Sequence, residues 1–189
     1  MRKFLCQVCR EKDIDDNMTI VKVGKSNKRY HTVGCYDRYL EDLEFKKKEK
    51  QEFDILCKTI ESTCDITSVP PSLFGLLQKL RNGDKLTGGG SKTKHYKKGY
   101  SYLTIAEAYM EKEGLIRWKK DQWDGSTPSF LSFVLFWYVS DACEDADVKI
   151  QKQKRLEEDK KEIDQSYDFS IDSFNYKDKK DDGDITDML

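Results

Sequence analysis

Apolar and polar positions alternate in three different ways along this chain. Ile20, Val21 and Val23 run up to Gly24, and Lys28-Arg29-Tyr30 leads back towards His31, a pattern that predicts a β-hairpin. From about residue 36 to 66, Tyr36, Tyr39, Leu40, Leu43, Phe53, Leu56, Ile60 and Cys64 recur near helical spacing. The stretch Lys46 to Gln51 interrupts them with no apolar residue, so that helix is either exposed there or is two helices. Val69-Pro70-Pro71 breaks the pattern.

Beyond the break the periods are again helical. Ser72 is placed to cap a short helix carrying Leu73, Phe74, Leu76, Leu77 and Leu80 and stopping near Asn82-Gly83. Ser101 can start another through Glu113, with Gly114 as its stop, and Thr127-Pro128 can open a long one near Ser129. The last begins apolar on nearly all sides from Phe130 to Val139, as a helix does when it is central or covered by a partner, and turns almost wholly charged after Ile150. Trp118, Trp123 and Trp137 read as core residues rather than stacking platforms. Helices packed on one another are favoured for residues 101 to 150, with a helix-turn-helix variant as the other reading.

Composition limits how much of this can be core. Apolar and charged residues each make up 37% of the 189, which suffices for one compact core and leaves some segment solvated. The net charge of −1 conceals segregation: Lys79 to Tyr100 holds seven basic residues against Asp84 alone, while from Glu144 onward acids outnumber bases 15 to nine. The division expected is a metal module over 1–40, a connecting helix over 41–68, a helical domain with a basic Gly/Lys loop over 69–164, and a disordered acidic tail over 165–189. The fold class is mainly α with a small zinc-stabilised β-hairpin module. No secretory signal or membrane-crossing run is evident, the longest apolar stretch being about half the length a bilayer needs.

The candidate chemistry lies at the start. Cys6-x2-Cys9 is followed, 21 residues on, by His31-x3-Cys35. A CxxC turn brings two thiolates to one ion, and a second close pair completes a tetrahedral shell with no open position. One structural Zn²⁺ per chain is therefore expected on Cys6, Cys9, His31 and Cys35, its formal site charge of −1 offset by Arg2, Lys3, Arg10 and Arg29 nearby in sequence. The alternative is ordinary buried thiols beside a chance histidine. Cys57, Cys64 and Cys143 read as core thiols rather than ligands.

A second candidate is the basic loop. Lys92, Lys94, Lys97 and Lys98 could contact phosphates while Tyr96 stacks on a base, or the loop could be a solvated connector. The tail alternates apolar and acidic residues, a pattern that suits docking on a partner, shielding the basic loop, or plain solubility.

Cys6-Gln7-Val8-Cys9, Arg29-Tyr30-His31 and Cys35-Tyr36, leading into a Lys/Glu-rich helix, resemble treble-clef or LIM-like zinc-binding proteins of phages and prophages of Gram-positive bacteria. Leu80-Arg81-Asn82-Gly83 and Lys98-Gly99-Tyr100-Ser101-Tyr102 resemble their second half, although the last ligand pair here is HxxxC where HxxC is commoner. The resemblance implies a phage context, the cytoplasm of a bacterial host, and a regulatory or nucleic-acid-related role. With two histidines, no phosphate-binding glycine motif and no nucleophile elbow, an enzyme is not expected. The expected function is a non-enzymatic factor binding DNA or RNA or a complex that processes it. The alternative is a module that captures a host protein through its aromatic helix and acidic tail, and no membrane partner is expected.

Overall fold

The computed structural model describes residues 2–88 and 92–172, with side chains as far as residue 163. Two compact units divide it, Met1–Ala146 and Asp147–Leu189.

The first unit opens with two small antiparallel ribbons. β1 (Lys3–Leu5) pairs with β2 (Lys12–Ile14), and β3 (Met18–Val23) pairs with β4 (Ser26–His31) in the register Met18↔His31 to Val23↔Ser26. Gly24 takes φ +60° in the two-residue turn, a conformation glycine adopts without steric cost. Only Cys6, Met18 and Tyr30 are buried among the described residues here, so the ribbons have almost no core of their own.

α1 (Cys35–Cys64) is one continuous helix of 30 residues. The apolar-free stretch at Lys46–Gln51 is not a break: it continues the exposed run that begins at Leu40, with Glu49 alone half-buried. Glu49 holds Arg81 at 2.7 Å, and beyond it Phe53 meets Phe74 and Tyr102 edge-on at 5.3 and 5.1 Å. Leu56, Ile60 and Cys64 then enter the core.

The other helices pack around that end. α2 (Pro71–Asn82) begins with Pro71 at its first turn, so Ser72 lies inside the helix rather than capping it. It ends as expected at Gly83, whose φ is +77°. α3 (Tyr102–Glu111) is capped by Ser101, whose hydroxyl accepts the Thr104 N–H at 3.1 Å. Gly114 does not stop it: the break comes at Lys112, and Gly114 sits within α4 (Glu113–Asp121). Both α3 and α4 lie against α1, which makes this a packed helical body. Trp118 departs from expectation, being exposed on α4, whereas Trp123 packs on Phe130 and Phe133 at 5.6 and 5.1 Å.

α5 (Thr127–Val134) starts earlier than expected, with Thr127 and Pro128 in the first turn. It continues through a π turn, Leu135–Val139, where the Ser140 N–H reaches back to Leu135 O, and then into α6 (Ser140–Asp172). The wider turn lets Leu135, Phe136 and Val139 all be buried, with Ala142, Cys143 and Ala146 following. Cys64 and Cys143 are core thiols, and Cys57 is half-buried against the same core.

Of the second unit, α6 supplies backbone helix to Asp172, and as far as Ile163 its side chains are exposed apart from the half-buried Asp147 and Ile150. The remainder of the expected acidic tail, 173–189, lies outside the described residues, as do 89–91 of the basic loop. Among the described residues, no helix is long and apolar enough to cross a membrane.

Candidate metal centre

The first ligand pair is carried by a tight turn between β1 and β2. The Cys6 N–H donates to Glu11 O at 2.9 Å and the Arg10 N–H to Cys6 O at 3.2 Å, with Arg10 in the left-handed region at φ +65°. The Gln7 N–H donates to Arg29 O at 2.9 Å, tying this turn to β4 and setting both cysteines beside His31. The second pair spans the end of β4 and the start of α1. Gly34, at φ +77°, reverses the chain there, and its N–H is held by the Asp37 carboxylate at 3.2 Å.

The outcome is a single cluster. The donor atoms of Cys6, Cys9, His31 and Cys35 all lie within 4.8 Å of one another. His31 Nδ1 is 3.2 Å from Cys9 Sγ and 3.7 Å from Cys35 Sγ, close to the roughly 3.5 Å edge of a tetrahedron built with metal bonds of about 2.0 and 2.3 Å. Cys6 is fully buried and Cys9 exposed, so the centre is shielded on one side only.

The electrostatics favour a cation at the centre. Burial pushes the Cys6 thiol up, but hydrogen bonds from the backbone of Cys9, His31 and Val8 outweigh it and bring the thiol from 9.0 down to about 6. Cys35 goes the other way, to about 11, through its burial and the neighbouring sulfurs of Cys6 and Cys9. Three sulfurs at this spacing resist joint ionisation unless a positive ion joins them. The donor set therefore fits a metal ion that takes thiolate and imidazole.

Asp13, which residue spacing did not single out, completes the surroundings. Its Oδ2 lies 3.8 Å from His31 Nε2, the ring nitrogen turned away from the sulfurs. The Ile14 N–H and the Asn17 amide hold that carboxylate at 2.7 and 3.1 Å and keep its pKa below the ordinary carboxylate value. At 3.8 Å from the imidazole the carboxylate is beyond hydrogen-bond reach, and it acts on the ring as a facing negative charge. In sequence it is one of several acids between Glu11 and Asp16, which read as solvated surface. Arg29, expected to offset the site charge, instead pairs with Asp15 at 2.9 Å and stacks 3.8 Å over Phe4.

The basic loop is held down at two of its five named positions. Between β5 (Leu86–Thr87) and β6 (Thr93–Lys94) the chain forms a short hairpin. Lys94 Nζ donates to Phe136 O at 2.6 Å, to Ser140 Oγ at 3.2 Å and to Asp141 Oδ1 at 2.6 Å, all at the π turn. Tyr96 packs against the core. Lys92, Lys97 and Lys98 are exposed, with Lys92 Nζ 4.7 Å from the Trp137 ring centroid and Lys98 Nζ 5.8 Å from that of Tyr100.

Fold and site together define a mainly helical protein with an N-terminal Cys3His cluster able to hold one metal ion. The model of the family described as SPbeta prophage protein YorH matches residues 6–187, a span that includes all four cluster residues and every helix of the first unit. The chain belongs to that family. No curated protein and no solved structure matches it.

Proposed function

We propose that this chain is a non-enzymatic prophage factor that holds one structural zinc ion and binds nucleic acid, or a complex that processes it, in the cytoplasm of its bacterial host. Zinc is favoured because three thiolates and one imidazole suit it, and because four protein ligands leave no position for a substrate.

The observation carrying the nucleic-acid reading is the anchored loop. Lys94 and Tyr96 fasten it to the helical body, so Lys92, Lys97 and Lys98 stand on a fixed edge. Cations held in place lose less freedom on meeting a row of phosphates than cations on a slack tether.

The test is a salt series of nucleic-acid binding by the zinc-loaded chain. Affinity should fall as salt rises, and Lys92→Glu, Lys97→Glu and Lys98→Glu together should weaken it. Lys94 is left intact because it is an anchor. Absence of binding even at low salt would sink the reading.

A second reading has one specific observation in its favour. Trp123, Phe133, Phe136 and Trp137 line a pocket of about 270 Å³, large enough for an apolar side chain of a host protein. Ser129→Trp, at the lining of that pocket, should then abolish a partner captured from host lysate. Undiminished capture would remove this alternative.

A further inference from the structure

The β3–β4 hairpin has a charge distribution that neither the metal cluster nor the basic loop explains. Residues 17–36 contain no Asp or Glu, and they contain Lys22, Lys25, Lys28 and Arg29. Arg29 belongs to the root of the hairpin, where Asp15 and Phe4 occupy it. Lys22, Lys25 and Lys28 belong to the tip, are exposed, and have no ion-pair partner among the described residues.

Register decides how those three charges point. Val21 faces Lys28 across the ribbon and Lys22 faces Asn27. Lys22 and Lys28 therefore project from opposite faces, because neighbouring positions on a strand alternate. Lys25 stands in the turn that joins the strands. The tip is cationic on both faces and at its end.

The root is rigid by comparison. Tyr30 stacks on Tyr39 of α1 at 4.3 Å between ring centroids, and His31 is in the metal cluster. All the tyrosines of this module are at the root. No aromatic side chain lies between Thr19 and Arg29 to stack on an unpaired base.

We propose that this tip enters the major groove of duplex DNA, with Lys22 and Lys28 reaching the phosphate rows on either side. A two-stranded ribbon, with strands about 4.8 Å apart plus side chains, fits a groove about 12 Å wide. Cations on two opposite faces suit a cleft flanked by two rows of phosphates better than a single acidic surface. The lack of an aromatic platform argues against single strands, whose binding leans on base stacking. The deep, narrow major groove of A-form RNA would not admit the ribbon. The proposal adds a second contact to the nucleic-acid reading above and rests on it.

The experiment measures binding of the zinc-loaded full chain to a labelled 25-base-pair DNA duplex, a size chosen to span roughly two helical turns. The variants are Lys22→Gln/Lys25→Gln/Lys28→Gln, the Arg triple variant at the same positions, and Lys92→Gln/Lys97→Gln/Lys98→Gln. Each must first keep its metal content and helical spectrum. The hairpin Gln variant should lose at least tenfold in affinity, and its log–log salt slope should flatten by about 1.8 as the two phosphate contacts of Lys22 and Lys28 vanish. The Arg variant should bind like the parent. If the parent binds the duplex and the hairpin Gln variant keeps its affinity and slope, the hairpin proposal is overturned while the nucleic-acid reading stands. If the parent binds no nucleic acid, both fall. Equal or tighter binding to single-stranded DNA, to an RNA duplex, or to polyglutamate overturns the duplex-groove assignment.

Discussion

Taking the metal away, by chelation or by Cys6→Ser, should unfold the N-terminal ribbons and leave the helical body standing. Within residues 2–34 the buried apolar side chains besides Cys6 are Met18 and Tyr30, worth about 3–6 kcal/mol together at about 1.5–3 kcal/mol each. A structural zinc ion contributes on the order of 10–16 kcal/mol to small modules of this kind. A zinc ion held there would therefore stabilise the ribbons more than their buried side chains do, and without it the ordering of some thirty residues would be unsupported. The damage should stop within α1. Residues 37–48 have little burial, and a free helical end of that length is marginal, so it frays. From Glu49 onward the Arg81 pair, the Phe53 contacts and the buried Leu56 and Ile60 hold the helix. Amide hydrogen exchange resolves this: β3–β4 amides should lose protection with a chelator while α2 and α3 amides keep theirs. Protected β3–β4 amides after complete zinc removal, or body amides exchanging together with them, would refute the reasoning.

Three further outcomes follow from the helical body. Lys94→Met should cost about 1–2 kcal/mol by urea denaturation, since bonds to an ammonium are worth about 1.5–3 kcal/mol and Asp141 is well exposed. Lys92→Met, on the exposed side of the same loop, should stay within about 0.5 kcal/mol, and equal losses would contradict the anchor. Gly99→Ala should destabilise by about 1–3 kcal/mol in the same assay, because its methyl group would overlap the Arg81 carbonyl, which is backbone and cannot step aside. In a thiol-labelling time course on the zinc-loaded chain, Cys57 should react first. Cys64, fully buried with its thiol pushed up to about 12, should react only on unfolding, and a chelator should bring in Cys9.

The Cys3His cluster was legible in the sequence because its information is local. CxxC and HxxxC each bring two donors together within one turn, and the hairpin between them needs only Gly24 and a strand alternation to close. What escaped was set by partners distant along the chain. Lys94 has the composition of a solvated loop residue, and only the π turn, more than forty residues later, makes it an anchor. The π turn itself leaves no mark in the apolar period, since a run apolar on all sides fits either helix type. Gly114 reads as a stop because glycine favours helix ends, yet a new helix starts at Glu113 and absorbs it. Asp13 was hidden among acids whose surface role is the ordinary expectation.

The continuity of α1 then bears on how the two cationic surfaces can cooperate. The helix carries Cys35 at its first residue and core leucine and isoleucine near its last, so one element sets both the metal cluster and the body. A helix advances about 1.5 Å per residue, which separates those ends by about 45 Å over its 30 residues. Residues 40–48 are exposed, and the helix is next tied to the body by the Glu49–Arg81 pair and by Phe53 against Phe74 and Tyr102. Stiffness over 40–48 must come from the backbone hydrogen bonds of the helix alone. A Gly substitution at an exposed mid-helix position such as Lys47 should therefore cost only about 1 kcal/mol in stability. If both surfaces grip one DNA, the same substitution should lower affinity further than either surface variant's salt slope accounts for, because the linkage between them is loosened. If affinity is untouched, the two surfaces bind independently, and the long helix serves as a spacer without coupling them.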